Sequence, residues 1–315
     1  MRTPDLCVTL GPLTLANPVL VAAGTFGYGL EFQHAVQLQQ LGAIVTKTIT
    51  RAPRSGNPPP RLVETPSGML NAVGLQNVGL EAFLNEKLPR LRQLNVPLIV
   101  SVLGETVEDM HILCASLDAA EGVSAIELNL SCPNLQARSA NRPTLTAQDP
   151  DATAEMVTAA RASTTKPLIA KLSPDVTDPQ PVALAAERAG ADILALVNTF
   201  TGMSIDPRTR ASRIGALTGG VSGPAIRPLA VYRVWRVRQA VRCPLIGMGG
   251  IVRAEDALEF FIAGASAVAV GTATFAYPAA ALRVLRGLTR YLQRQRLASM
   301  QDLIGTFRDV APAAA

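Results

Sequence analysis

The sequence predicts an α/β protein, a closed (β/α)8 TIM barrel with active-site insertions at the C-terminal face of its strands. Three observations predict it: eight short apolar runs recur at regular intervals, helical patterns separate most of them, and polar residues gather where the runs end. The runs span 18–23, 43–48, 97–103, 125–130, 167–172, 193–198, 244–248 and 267–271. Most are continuously apolar rather than alternating, as strands buried on both faces require, so the sheet is parallel and covered by helices. Helical patterns at 152–162, 181–189, 229–241, 254–263 and 281–294 supply that cover. Gly190 and Gly264 stand where a helix stops and the chain turns into the next strand. A doubly wound open sheet is the alternative arrangement, but eight such units close into a barrel more naturally.

At 315 residues, 48% hydrophobic and 17% charged, the chain has enough apolar material for one barrel domain spanning 1–315. Its glycines and prolines are scattered, so they punctuate short elements and mark no linker. Two stretches, 50–94 and 132–149, exceed ordinary connection lengths, and long connections after barrel strands build active sites.

Charge and cysteine usage exclude several classes. The net charge is +5, yet aromatics are only 4% and no Lys/Arg run occurs, which argues against a nucleic-acid partner. Arg227, Arg233, Arg236, Arg238 and Arg242 gather on a helical stretch and read as a solvated face. Cys7, Cys114, Cys132 and Cys243 are widely spaced, without a CxxC pair, which argues against an iron–sulfur or zinc site within this chain. The N-terminus lacks an apolar signal core and no run reads as a membrane span. The expectation is a cytoplasmic protein with no membrane contact.

The chemistry gathers at the strand ends, where Lys47, Asn129, Cys132, Lys171, Asn198 and Thr199 fall. Gly247-Met248-Gly249-Gly250, Gly271-Thr272 and 219–224 are placed to bring backbone N–H groups to a phosphate, although glycines also serve plain tight turns. Lys171, at the end of a buried strand, needs an anionic partner; either a carboxylate or the N1/O2 edge of a reduced flavin would serve. Cys132 stands at a strand end before Pro133, as a buried structural thiol or as a base. His34 and His111 lie outside every strand-end cluster, leaving the thiol as the candidate base. Asn71, Asn129, Asn134 and Asn198 together supply donors and acceptors for a small heterocycle.

With these residues in view, the chain resembles class 1 dihydroorotate dehydrogenases, most closely the class 1B, NAD-linked catalytic subunit. The resemblance runs from about 10 to about 274 and rests on Gly24-Thr25-Phe26-Gly27-Tyr28-Gly29, Thr46-Lys47-Thr48-Ile49-Thr50, and Gly68-Met69-Leu70-Asn71-Ala72-Val73-Gly74-Leu75-Gln76-Asn77. Leu128-Asn129-Leu130-Ser131-Cys132-Pro133-Asn134, Lys171-Leu172-Ser173-Pro174, Gly220-Val221-Ser222-Gly223-Pro224-Ala225-Ile226 and Gly247-Met248-Gly249-Gly250-Ile251 carry the rest. It implies one FMN per chain, held by Ala23, Lys47, Thr48, Ser101, Asn129, Lys171, Val197, Gly223, Gly249, Gly250, Gly271 and Thr272. It implies that orotate or dihydroorotate is read by Lys47, Asn71, Ala72, Val73, Gly74, Leu75, Asn129, Asn134, Asn198 and Thr199. Cys132 would remove the C5 proton while hydride leaves C6 for the flavin. FAD and a 2Fe–2S cluster are expected only on a partner subunit, around a homodimer core or within a heterotetramer.

The chain departs from the family pattern in two places. Residues 135–144, after Asn134, are less glycine-rich and somewhat longer than usual, which bears on how a lid would close. Ser101 stands where an asparagine often contacts the flavin and retains one donor for that role. The competing readings are an FMN barrel acting on another dihydropyrimidine and a non-catalytic phosphate-ligand scaffold.

Overall fold

The computed structural model describes residues 4–131 and 146–309. Its centre is a closed barrel of eight parallel strands in sequence order: β1 (Val19–Val21), β2 (Ala43–Val45), β3 (Leu98–Val102), β4 (Ala125–Asn129), β5 (Leu168–Lys171), β6 (Ile193–Leu196), β7 (Leu245–Met248) and β8 (Ala267–Val270). Each falls inside one of the eight predicted apolar runs. Every residue of these strands is buried, because the barrel interior takes one face and the helices the other.

Strand register decides which side chains enter the barrel. Around the ring, Leu20 lies beside Ala43, Val45 beside Ile99, Ser101 beside Glu127, and Glu127 beside Ile169. One layer further along, Asn129 lies beside Lys171 and Lys171 beside Ala195; Ala195 then neighbours Ile246, and Met248 neighbours Ala269. Side chains alternate along a strand, so these form the inward set, and their neighbours, such as Ile126, Leu128 and Val268, turn toward the helices.

The helices Val107–Asp118, Pro150–Arg161, Gln180–Arg188, Arg227–Arg238, Ala254–Ala263 and Ala280–Gln295 wrap the outside. Local chemistry starts and stops them. Thr106 caps the first by accepting from Asp109 N at 3.1 Å, and Asp149 caps the second by accepting from Asp151 N at 2.9 Å. Gly264 ends Ala254–Ala263 in a left-handed conformation at φ 113°. Among the described residues, no helix is long and apolar enough to cross a membrane.

Three features were not legible in the strand–helix pattern. The connection from β1 to β2 holds two single 3-10 turns, Leu30–Phe32 and Leu38–Gln40, instead of a full helix. A hairpin of Val8–Leu10 with Leu13–Leu15 lies at the N-terminal end of the barrel, its Gly11 turn against Asp192 just before β6. At the opposite end, the predicted connection 50–94 contributes Leu62–Thr65 and Gly68–Asn71 to a four-stranded antiparallel sheet. Phe200–Gly202 and Gly219–Ser222, from a third long connection after β6, complete it.

Phe260 and Phe261 are fully buried where Ala254–Ala263 meets the barrel. Phe260→Ala leaves a cavity the packed ring cannot refill, and the expected loss is about 3–5 kcal/mol in urea unfolding. A loss below about 1 kcal/mol would mean that this contact contributes little.

Candidate active site

A cavity of about 490 Å³ opens at the C-terminal end of the strands, under the antiparallel sheet. This is within the ~300–1,000 Å³ typical of small-molecule and cofactor sites. Its floor and walls come from successive strand ends: Ala22 and Ala23 after β1, Lys47 and Thr48 after β2, Asn129 on β4, Lys171 on β5, and Val197, Asn198 and Thr199 after β6. Met248, Gly249 and Gly250 from β7 and Gly271 and Thr272 from β8 close the ring.

The site residues expected from the sequence divide into three groups. Ala23, Lys47, Thr48, Asn129, Lys171, Val197, Gly223, Gly249, Gly250, Gly271 and Thr272 all line the cavity, as do Asn71, Val73, Leu75, Asn198 and Thr199. Ser101, Ala72 and Gly74 do not line it. Ser101 is fully buried in the barrel interior beneath the cavity, its Oγ 2.9 Å from Thr48 Oγ1. Asn71, Val73 and Leu75 face the cavity, while the Ala72 backbone bonds Arg61 and Asn57 and the chain turns through Gly74 and Leu75 at φ of 72° and 58°. Cys132 and Asn134 lie outside the described residues.

A polar network spans the strand ends. Asn129 Nδ2 donates to Thr48 Oγ1 at 3.1 Å, and Asn198 Nδ2 lies 3.3 Å from Asn129 Oδ1 and 3.0 Å from Ser131 Oγ. Asn71 Nδ2 donates to Gly220 O at 3.0 Å, a bond within the overlying sheet that fixes the Asn71 amide. Such bonds hold the amide planes before any ligand arrives, so little ordering remains to be done on binding.

The glycine loops make a cradle. Gly249 and Gly250 have φ of 134° and 72°, and a Cβ on them would meet Ala230 Cβ at 2.7 Å and Gly223 O at 2.8 Å. Only glycine fits this path, which leaves backbone N–H groups uncovered by side chains. Asp256 braces the loop: its Oδ2 accepts from Val252 N at 2.9 Å and Arg253 N at 3.0 Å, while Oδ1 pairs with Arg227 at the start of the neighbouring helix.

The charge balance of the wall is one-sided. Among the described residues lining the cavity, Lys47 and Lys171 are cationic and none is Asp or Glu. Lys171 is 5% exposed and its side chain makes no ion pair or hydrogen bond with another described residue. A buried ammonium is costly without a counter-charge, so the cavity is built for an anionic ligand.

Sequence reading missed several lining residues. Ser222 Oγ accepts from Thr272 Oγ1 at 2.8 Å and joins the two glycine loops, and Thr25, Met69, Phe275 and Tyr277 form parts of the rim. Phe275 and Tyr277, large aromatics exposed just after the β8 glycine turn, carried the one signal available, since apolar side chains at a strand-end loop mark a binding lip.

The other ionisable candidates are elsewhere. His34 and His111 are exposed, with His111 Nδ1 2.6 Å from Ser163 Oγ. Burial pushes the Cys114 thiol up to about 12, and burial reinforced by the Glu187 carboxylate does the same for Cys243. Neither thiol faces the cavity.

The fold and cavity define a (β/α)8 barrel with a cationic cavity at its C-terminal mouth. The dihydroorotate dehydrogenase family profile matches residues 5–292. A dihydroorotate dehydrogenase B (NAD(+)) catalytic subunit from Geotalea uraniireducens (strain Rf4) is 50% identical over 97% of this chain and 99% of its own length. Proteins of the same name from Desulforudis audaxviator (strain MP104C) and Thermodesulfovibrio yellowstonii (strain ATCC 51303 / DSM 11347 / YP87) are 51% and 47% identical, over 95% and 97% of this chain and 96% and 100% of their own lengths. The chain belongs to the dihydroorotate dehydrogenase family.

Thiol reactivity checks the assignment of the described cysteines. In the folded protein at pH 8, an alkylating reagent should label exposed Cys7 and leave Cys114 and Cys243 unmodified until denaturant is added, because both are held as neutral thiols. Rapid native labelling of Cys243 would contradict its environment.

Proposed function

We propose that this chain is the catalytic subunit of a dihydroorotate dehydrogenase B, oxidising (S)-dihydroorotate to orotate in de novo pyrimidine biosynthesis with an FMN seated in the barrel mouth. The observation that carries the reading is Lys171: buried, facing the cavity, and without a partner among the described residues, in a wall that holds no acid. The glycine cradle and this unpaired cation fit a phosphate-bearing flavin.

When bound, the flavin would accept the hydride that leaves C6 of the substrate. Gly223, Gly249, Gly250, Gly271 and Thr272 are the groups for its phosphate, Ala23, Thr48 and Val197 border its ring system, and Ser101 acts through Thr48. Lys171 supplies positive charge for the ring's N1/O2 edge. Lys47, residues 71–75, Asn129, Asn134, Asn198 and Thr199 are the groups for the substrate, with the hydrogen-bonding capacity their amides have left directed to its ring. Cys132 is the base for the C5 proton. A carboxylated ring suits a wall with two lysines better than neutral dihydrouracil does, so the preference between those substrates is set by charge.

A partner subunit carrying FAD and a 2Fe–2S cluster would take the electrons on to NAD. The names of the relatives, each a catalytic subunit of an NAD(+) enzyme, support this division.

Purified chain loaded with FMN should be yellow and be bleached anaerobically by dihydroorotate but not by dihydrouracil. Cys132→Ser should slow bleaching at neutral pH by about 10²–10⁴. A chain that stays colourless after FMN is added refutes the reading. Equal bleaching by the two substrates refutes the substrate assignment.

A further inference from the structure

Glu127 is a charged residue in the barrel interior that the proposed chemistry leaves unused. It lies mid-strand in β4, 1% exposed, and its Oε1 has no hydrogen-bond partner among the described residues. Strand alternation places it on the inward face with Asn129, and register sets it beside Ser101 on one side and Ile169 on the other. The pair Asn129–Lys171 stands one layer above, toward the cavity.

A carboxyl oxygen left unpaired in a barrel core is expensive, and branched apolar residues normally fill such layers. A leucine would pack there at less cost, so stability does not account for the acid. Around it the charged groups of the inward set are Lys171 on the adjacent strand and Lys47 beyond Ser101, both facing the cavity. No direct ion pair joins Glu127 to Lys171. Their positions are diagonal neighbours on adjacent strands.

We infer that Glu127 is a positioning residue whose carboxyl group, one layer beneath Lys171 and not paired with it, lowers the electron affinity of the site. This rests on the flavin reading above. Lys171 favours the negative charge that reduction places on the N1/O2 edge, and a carboxylate one layer below offsets part of that attraction, so that electrons taken from substrate can be passed on.

The test is the two-electron midpoint potential of bound FMN, measured anaerobically in wild type, Glu127→Gln and Glu127→Leu. Both variants should raise it by at least a tenfold change in the reduction equilibrium, about 30 mV. Glu127→Asp should stay nearer to wild type. The leucine variant fills the same space without a polar atom, so it gives the answer should the glutamine variant fail to fold. An unchanged or lowered potential in the folded variants overturns the inference, since a packing role alone moves stability and not potential. Failure of the flavin reading is distinguishable, because wild type itself would then take up no FMN.

Discussion

Closing eight parallel strands into a ring gives every strand one face toward a shared interior and one toward the helices, with the register leaving no choice between them. Polar side chains that enter this ring have no bulk water to turn to, so each is costly unless another ring residue or a ligand at the open end meets it. Ser101 and Thr48 satisfy one another, Asn129 joins them, and Asn198 joins Asn129. Lys171 has no such partner among the described residues. That asymmetry turns a packed core into a binding site, and the cavity above it contains no acid to cancel the charge.

The second half of the site depends on backbone rather than side chains. The path through Gly249 and Gly250 runs too close to Ala230 and Gly223 for any Cβ, and Asp256 holds the loop to the helix that begins with Arg227. Breaking this brace would leave a nearly buried carboxylate without its guanidinium, a costly state that favours keeping the two loops in one arrangement. Cation at one end and bare N–H groups at the other match a ligand with negative charge at both ends.

Much of this was readable from residues alone, for reasons that differ by element. Continuous apolar runs betray strands buried on both faces, and Gly264 announces a helix end because it alone accepts the left-handed turn cheaply. Lys47, Asn129, Lys171 and Asn198 stand out because a polar residue that ends an apolar run is costly to bury unless it meets a ligand or a polar neighbour. The antiparallel sheet over the mouth was hidden: it pairs Asn71 with Gly220, far apart in sequence, and nothing in either short segment names its partner. The division within 71–75 depends on the left-handed turn through Gly74 and Leu75, which was equally hidden. Glu127 reads in sequence as one polar residue among apolar ones, and only the register shows that it shares a face with Asn129 and lies beneath Lys171.

The central claim is that the barrel mouth is shaped and charged for a phosphate-bearing flavin. The most direct measurement is the affinity of the flavin-free chain for FMN against riboflavin, which differ only in the phosphate. Two charge-assisted hydrogen bonds from the glycine cradle should favour FMN by on the order of 100-fold or more. Equal affinity for the two, or binding of neither, would contradict it.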